Sequence, residues 1–103
     1  MAQLCKVADK KSLEAAASIK AEVGGREIAV FRVNGNYYAI GDTCTHRGGP
    51  LSEGDLQGKI VTCPWHGAKF DVTSGKVVGP PALADVPCFK VLVEGEEIKV
   101  EIP

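Results

Sequence analysis

The 103-residue sequence predicts a single all-β domain, on three observations. Twelve Gly and six Pro stand against one Trp, two Tyr and three Phe, the balance of a turn-rich chain. Residues 97–102 (EIKVEI) alternate strictly between charged and apolar side chains, the period of a half-buried strand. Asn34-Gly35, a dipeptide that favours two-residue hairpins, separates two apolar runs. A chain of this length buries about two-thirds of its unfolded surface and has material for one domain, residues 1–103.

From the N-terminus, Cys5 falls in a first strand. Residues 12–22 (SLEAAASIKAE) have the Ala, Glu and Lys content of a helix, with Ser12 as candidate N-cap. Gly24-Gly25, however, directly precedes the next strand, as a hairpin turn would. The combined reading is a helical turn over 12–15 followed by a strand over 17–23. Residues 27–33 (EIAVFRV) are β-branched and apolar, and the chain returns over 36–40 (NYYAI). Shorter strands are expected at 59–62, 70–72 and 76–78, with Thr73-Ser74-Gly75 as the turn between the last two. Phe89, Val91 and Val93 alternate with Lys90 and Leu92 in a strand near Cys88, and Glu94-Gly95-Glu96 turns the chain into 97–102. The middle, residues 42–82, is thick with Gly and Pro and holds both histidines and two of the four cysteines. A loop-rich subdomain on a β scaffold is where a site is expected.

Twelve Lys and Arg against thirteen Asp and Glu, evenly spread, leave no basic stripe for nucleic acid or an anionic membrane. The first residues lack the apolar core of a signal peptide, and no apolar run approaches the ~20 residues that span a bilayer. The expectation is a cytoplasmic protein that binds neither membrane nor nucleic acid. Cysteines in such a compartment are metal ligands or spectators rather than disulfides.

Two knuckles carry the chemistry: Cys44-Thr45-His46-Arg47-Gly48-Gly49-Pro50-Leu51 and Cys63-Pro64-Trp65-His66-Gly67. Each offers one thiolate and one imidazole, with glycines that let the backbone fold tightly around a metal. A zinc finger usually pairs like with like, two Cys on one knuckle and two His on a helix. Mixed knuckles facing each other can instead give both cysteines to one iron and both histidines to a second.

In these residues, C-x-H at Cys44 to His46 and C-x-x-H at Cys63 to His66 with 16 residues between His46 and Cys63, the chain resembles the Rieske-type proteins. Gly79-Pro80-Pro81 resembles the third loop that shields the cluster in that family. The resemblance implies a Rieske-type antiparallel β-sandwich of two or three sheets. A small cluster-binding subdomain, approximately 42–82, would hold one [2Fe–2S] cluster. Cys44 and Cys63 would hold one iron, and His46 and His66 the other. The chain's size resembles a Rieske ferredoxin of bacterial ring-hydroxylating oxygenase systems. That likeness implies a monomeric one-electron carrier between a flavoprotein or iron–sulfur reductase and a terminal oxygenase. No nucleophile–base arrangement for an enzyme stands out.

Departures from the family refine the expectation. Respiratory Rieske proteins resemble this chain but carry an extra Cys in each ligand loop, joined as a disulfide; here Gly49 and Trp65 stand in those places. Where those proteins place a Ser and a Tyr that donate hydrogen bonds near the cluster, this chain has Ala68 and Phe70, which cannot donate. Fewer donors imply a lower potential.

Among the neighbours, Trp65 is expected to cover the cluster, and Leu51 and Pro80 to form an apolar docking rim or to cap the loops. Arg47 reads as a solvated cation and Asp71 as a turn or strand-end residue. Cys5 and Cys88 read as small buried hydrophobes in strands. Three rivals stay open at this point: the small Rieske-type subunit of an assimilatory nitrite reductase, a detached sensor module, and a structural Cys₂His₂ zinc domain.

Overall fold

A computed structural model describes residues 3–15, 18–43, 50–65, 67–79 and 85–102. The described residues form eleven strands: β1 (Gln3–Asp9), β2 (Ser18–Val23), β3 (Arg26–Val33), β4 (Asn36–Gly41), β5 (Asp55–Gln57), β6 (Ile60–Thr62), β7 (Lys69–Asp71), β8 (Val77–Gly79), β9 (Cys88–Phe89), β10 (Val91–Glu94) and β11 (Glu97–Ile102). One short helix, α1 (Lys10–Ala15), follows β1, and one 3₁₀ turn, Leu51–Glu53, follows the first ligand loop.

Every strand pairing is antiparallel, in three sheets ordered β1-β11-β10, β2-β3-β4-β9 and β5-β6-β7-β8. The β3–β4 hairpin turns on Asn34 and Gly35 with φ of 51° and 81°, the left-handed pair that matches the twist of its arms. Alternation in β11 buries Ile98, Val100 and Ile102 and turns Glu97, Lys99 and Glu101 outward.

The uninterrupted apolar run of β3 has a specific cause. Ile28 and Val30 face a base core with Leu13, Ala39, Phe89, Ile98 and Val100. Ala29 and Phe31 face a second core with Ile40, Leu51, Val61, Cys63, Ala68, Phe70, Val72 and Val86. A strand covered on both faces carries no polar stripe.

The structure departs from expectation in four places. Helix α1 starts at Lys10, whose N–H donates to Glu96 O at 2.9 Å, so Ser12 lies inside the helix rather than capping it. The segment expected as one strand at 89–93 breaks at Lys90: β9 pairs with β4 and β10 with β11, so the chain changes sheets there. The middle of the chain is less loop-like than its composition suggests, because β5 to β8 make a four-stranded meander. Its first strand, Asp55–Gln57, carries no β-forming pattern and was not expected.

Asp71 sits at the end of β7, as the sequence suggests. Its Oδ1 accepts from Thr73 N–H at 2.9 Å and Thr73 Oγ1 at 2.6 Å, and Oδ2 lies 3.3 Å from Lys59 Nζ. Burial alone would raise this carboxyl, but the two Thr73 bonds and the Lys59 charge outweigh it and hold Asp71 below its ordinary value.

Candidate metal centre

The second knuckle is a tight hairpin between β6 and β7. Cys63 N–H donates to Ala68 O at 2.7 Å, and Gly67 adopts φ 75°, which lets the chain reverse. Cys63 is 2% exposed, and its Sγ accepts a hydrogen bond from Trp65 N–H at 3.4 Å. A sulfur that is buried and already accepts an amide proton suits a metal-bound thiolate, since a buried negative charge needs such compensation. On chemistry and on geometry this residue fits an iron–sulfur centre.

The first knuckle is described at its neck. Thr43 and Pro50 form an antiparallel bridge, and Leu51 N–H donates to Asp42 O at 2.7 Å. Cys44, His46 and Arg47, with His66 and Pro80 elsewhere, lie outside the described residues. The third loop is closed at its base: Val77 N–H donates to Asp85 Oδ1 at 2.9 Å, and Val86 N–H to Gly75 O at 2.9 Å. Leu51, Cys63, Ala68 and Val86, one or two from the flank of each loop, meet in the same core. The fold therefore brings the bases of all three loops together. Among the described residues no three His, Cys, Asp or Glu side chains group to hold a metal.

The family model of the Rieske [2Fe-2S] domain matches residues 3–90. The chain belongs to this Rieske family. Its cofactor is accordingly a [2Fe–2S] cluster, and the zinc reading falls away. Ferredoxin CarAc of Metapseudomonas resinovorans is 41% identical to this Rieske chain over 78 residues, 76% of this chain and 73% of that one. The solved ferredoxin of carbazole 1,9a-dioxygenase from Nocardioides aromaticivorans superposes with a TM-score of 0.89 at 30% identity, covering 95% of this chain and 96% of its own. A chain of the solved complex of reduced oxygenase and oxidized ferredoxin in carbazole 1,9a-dioxygenase gives 0.86 at 35% identity, over 94% and 91%. No helix among the described residues is long and apolar enough to cross a membrane.

Two expectations for the Rieske chain are corrected. Leu51 is not a docking rim: it is 0% exposed, because the 3₁₀ turn that it opens folds inward onto β3 and β6. Cys88 is not buried. It lies on edge strand β9 opposite Ile40, on the side facing the second core but at the limit of the sheet. Although the residue is exposed, its thiol turns toward Thr73 O at 3.7 Å, and partial burial, then the Asp71 charge, push it above its ordinary value. Cys5 is half-buried against the base core. Trp65 is 50% exposed, so its side chain stands out from the knuckle while its backbone serves the sulfur.

Sequence reasoning passed over Asp42 and Gly54, since an Asp after an apolar strand and a Gly in a polar loop look like ordinary turn residues. Only their burial and close packing mark them.

Cys5 packs with the base core, and the Cys88 thiol turns to Thr73 O beside Gly75 at the base of the third loop. Neither belongs to a mixed Cys and His knuckle, so Cys5→Ser and Cys88→Ser should both keep the visible spectrum and iron content of the wild type. The stability loss should be at most about 1–2 kcal/mol, from the half-buried hydroxyl. Cluster loss in both variants would overturn the assignment of these thiols as spectators.

Proposed function

We propose that this chain carries one electron at a time from an NAD(P)H-dependent reductase, a flavoprotein or iron–sulfur protein, to a terminal oxygenase. One observation carries the reading: nearly its whole length overlays a chain of a complex whose named members are an oxygenase and a ferredoxin, at a TM-score of 0.86. In this reading Cys44 and Cys63 hold one iron, and His46 and His66 the other. Residues 42–82 form the cluster-binding subdomain of a single domain, 1–103, and the protein works as a cytoplasmic monomer.

A bound [2Fe–2S] cluster supplies a one-electron couple. The chain's own residues orient and shield it. Trp65 N–H directs a donor at Cys63 Sγ, and the Cys63–Ala68 backbone bond fixes the knuckle that presents the sulfur. Leu51, Phe70 and Val86 exclude water from the side of the core.

The exposed Trp65 indole, two residues from Cys63, replaces Leu51 as the apolar contact for a partner. Turnover requires the partner to leave quickly, which suits a small patch with one aromatic anchor. Trp65→Ala should keep the spectrum and nearly keep the potential, because the Trp65 N–H is backbone and no charge is added beside the cluster. Electron transfer should slow by roughly tenfold or more, as for loss of an interface anchor. The measurement is NADH-coupled reduction by a reductase of this type, followed by reoxidation with a terminal oxygenase. Wild-type rates in both half-reactions would place the docking face elsewhere. Failure of the wild-type protein to deliver electrons to any such oxygenase would overturn the function itself.

The potential tests the electrostatics separately. Ala68 is wholly buried and bonded to Cys63 through the backbone, so a hydroxyl added there lies beside the second knuckle. The wild-type potential should fall near ~−150 mV, at the low end of the Rieske range, and Ala68→Ser should raise it. Phe70→Tyr should act in the same direction but at a cost in stability, because Phe70 is wholly buried and its hydroxyl would enter the core. A wild-type value well above zero, found by redox titration, would sink the low-potential reading.

A further inference from the structure

Asp42 is 1% exposed and is the one buried charged residue among those described. It comes two residues before Cys44, at the point where β4 gives way to the first ligand loop. Four groups of this region are tied together through it. Asp42 N–H donates to Glu27 O at 3.0 Å, anchoring it to β3, and Asp42 O accepts from Leu51 N–H at 2.7 Å across the neck of the loop. Its side-chain Oδ1 accepts from Ser52 N–H at 2.7 Å. Its Oδ2 accepts no hydrogen bond and faces Lys20 Nζ at 4.0 Å.

Ser52 is held from the other side as well, because Ser18 Oγ of β2 donates to Ser52 O at 2.7 Å. The 3₁₀ turn that contains Ser52 continues into Gly54, whose N–H donates to Leu51 O at 3.0 Å. A Cβ on Gly54 would collide with the backbone oxygen of Thr62, the residue just before Cys63. The carboxylate thus grips a turn that is packed, without a side chain's clearance, against the strand that delivers Cys63.

We propose that Asp42 is a positioning residue for the cluster: through the Ser52 amide, its carboxylate fixes the first ligand loop in register with Cys63. The proposal rests on the reading of Cys44 and His46 as ligands. A backbone bridge and one amide-to-carbonyl bond close the neck without it, so loss of the carboxylate loosens the loop rather than unfolding the domain. A part-buried Ser52 N–H left without its acceptor is the direct cost.

The test compares Asp42→Ala with Asp42→Asn in the cluster-loaded protein. Asn keeps an oxygen that can accept from Ser52 N–H and gives up the charge; Ala gives up both. The readouts are bleaching of the visible spectrum by an iron chelator, the g values of the reduced protein by electron paramagnetic resonance, and thermal melting of the fold. Asp42→Ala should bleach about tenfold faster than wild type, as expected for one unsatisfied part-buried amide, with shifted g values. Asp42→Asn should stay within about twofold of wild type with unshifted g values.

A purely structural role predicts lower melting with unchanged g values, and that result overturns the proposal. Equal damage in Asp42→Asn also overturns it, since charge and not the amide bond would then matter. If Asp42→Ala does not fold, Asp42→Asn alone decides by the same criterion. Wild-type behaviour of Asp42→Ala, with the cluster lost in Cys44→Ala, defeats the positioning role and leaves the ligand assignment standing. Full iron and sulfide retained in Cys44→Ala defeats the ligand assignment instead.

Discussion

Cys63→Ala should abolish cluster loading, leaving none of the two irons and two sulfides that a [2Fe–2S] centre holds. In the proposed reading, changing Cys44, His46 or His66 to Ala should do the same, because in each variant one iron would lose one of its two protein ligands. Cys63 carries a second consequence that the other three need not share. Cys63 belongs to the core with Leu51, Val61, Ala68 and Phe70, so truncation removes packing as well as the proposed ligand. Binding energy that a metal centre gives to the folded state is folding energy, and its loss should disorder the ligand loops. Iron and acid-labile sulfide analysis, with the visible spectrum, measures the first effect. A Cys63→Ala protein that retained the full complement of both would overturn the ligand assignment.

Leu51→Ala should be the second severe substitution, although nothing in the side chain can touch iron chemistry. Leu51 is wholly buried, its N–H closes the neck of the first ligand loop, and its carbonyl receives Gly54 N–H. Truncating such a side chain leaves a cavity and costs about 3 kcal/mol, a large share of the ~5–15 kcal/mol that holds a domain together. The cavity would open between β3, β6 and the loop base, so chelator resistance should fall together with stability. Denaturant titration of the loaded protein reads the loss. A midpoint within experimental scatter of the wild type would show that the 3₁₀ turn is not part of the core. Leu51→Glu should not fold at all, because it puts a carboxylate where no partner waits.

The contrast between Leu51 and the strands around it explains how far the sequence could be read. Hairpins were legible because their chemistry is local: Asn34-Gly35 and Gly24-Gly25 adopt left-handed φ whatever lies beyond them. The strict alternation of Glu97–Ile102 needs only one buried face to produce it. The cofactor was legible too, since a mixed Cys and His knuckle is a matter of composition and spacing, and the family model names the same [2Fe–2S] group. Leu51 was not, because a single apolar residue among Gly, Pro, Ser and Glu has no period to reveal which way it points. Cys88 failed for a related reason. Its alternation places it correctly on a face, but only the sheet order shows that the face ends there. Asp42 was invisible because its burial comes from β2, β3 and the 3₁₀ turn, none of which is adjacent to it in sequence.

Strand β3 presses one pair of residues into the base core and the alternate pair into the core beneath the ligand loops. The two halves of the protein therefore cannot melt independently: releasing either one strips a face from the same strand. The amides of Ile28 to Phe31 should exchange with solvent deuterium only through global unfolding, and they should slow when the cluster is loaded, even on the side facing the base. An electron carrier gains from this unity. A centre that must keep the same geometry through many one-electron cycles is held by the cooperativity of the whole sandwich rather than by the loops alone.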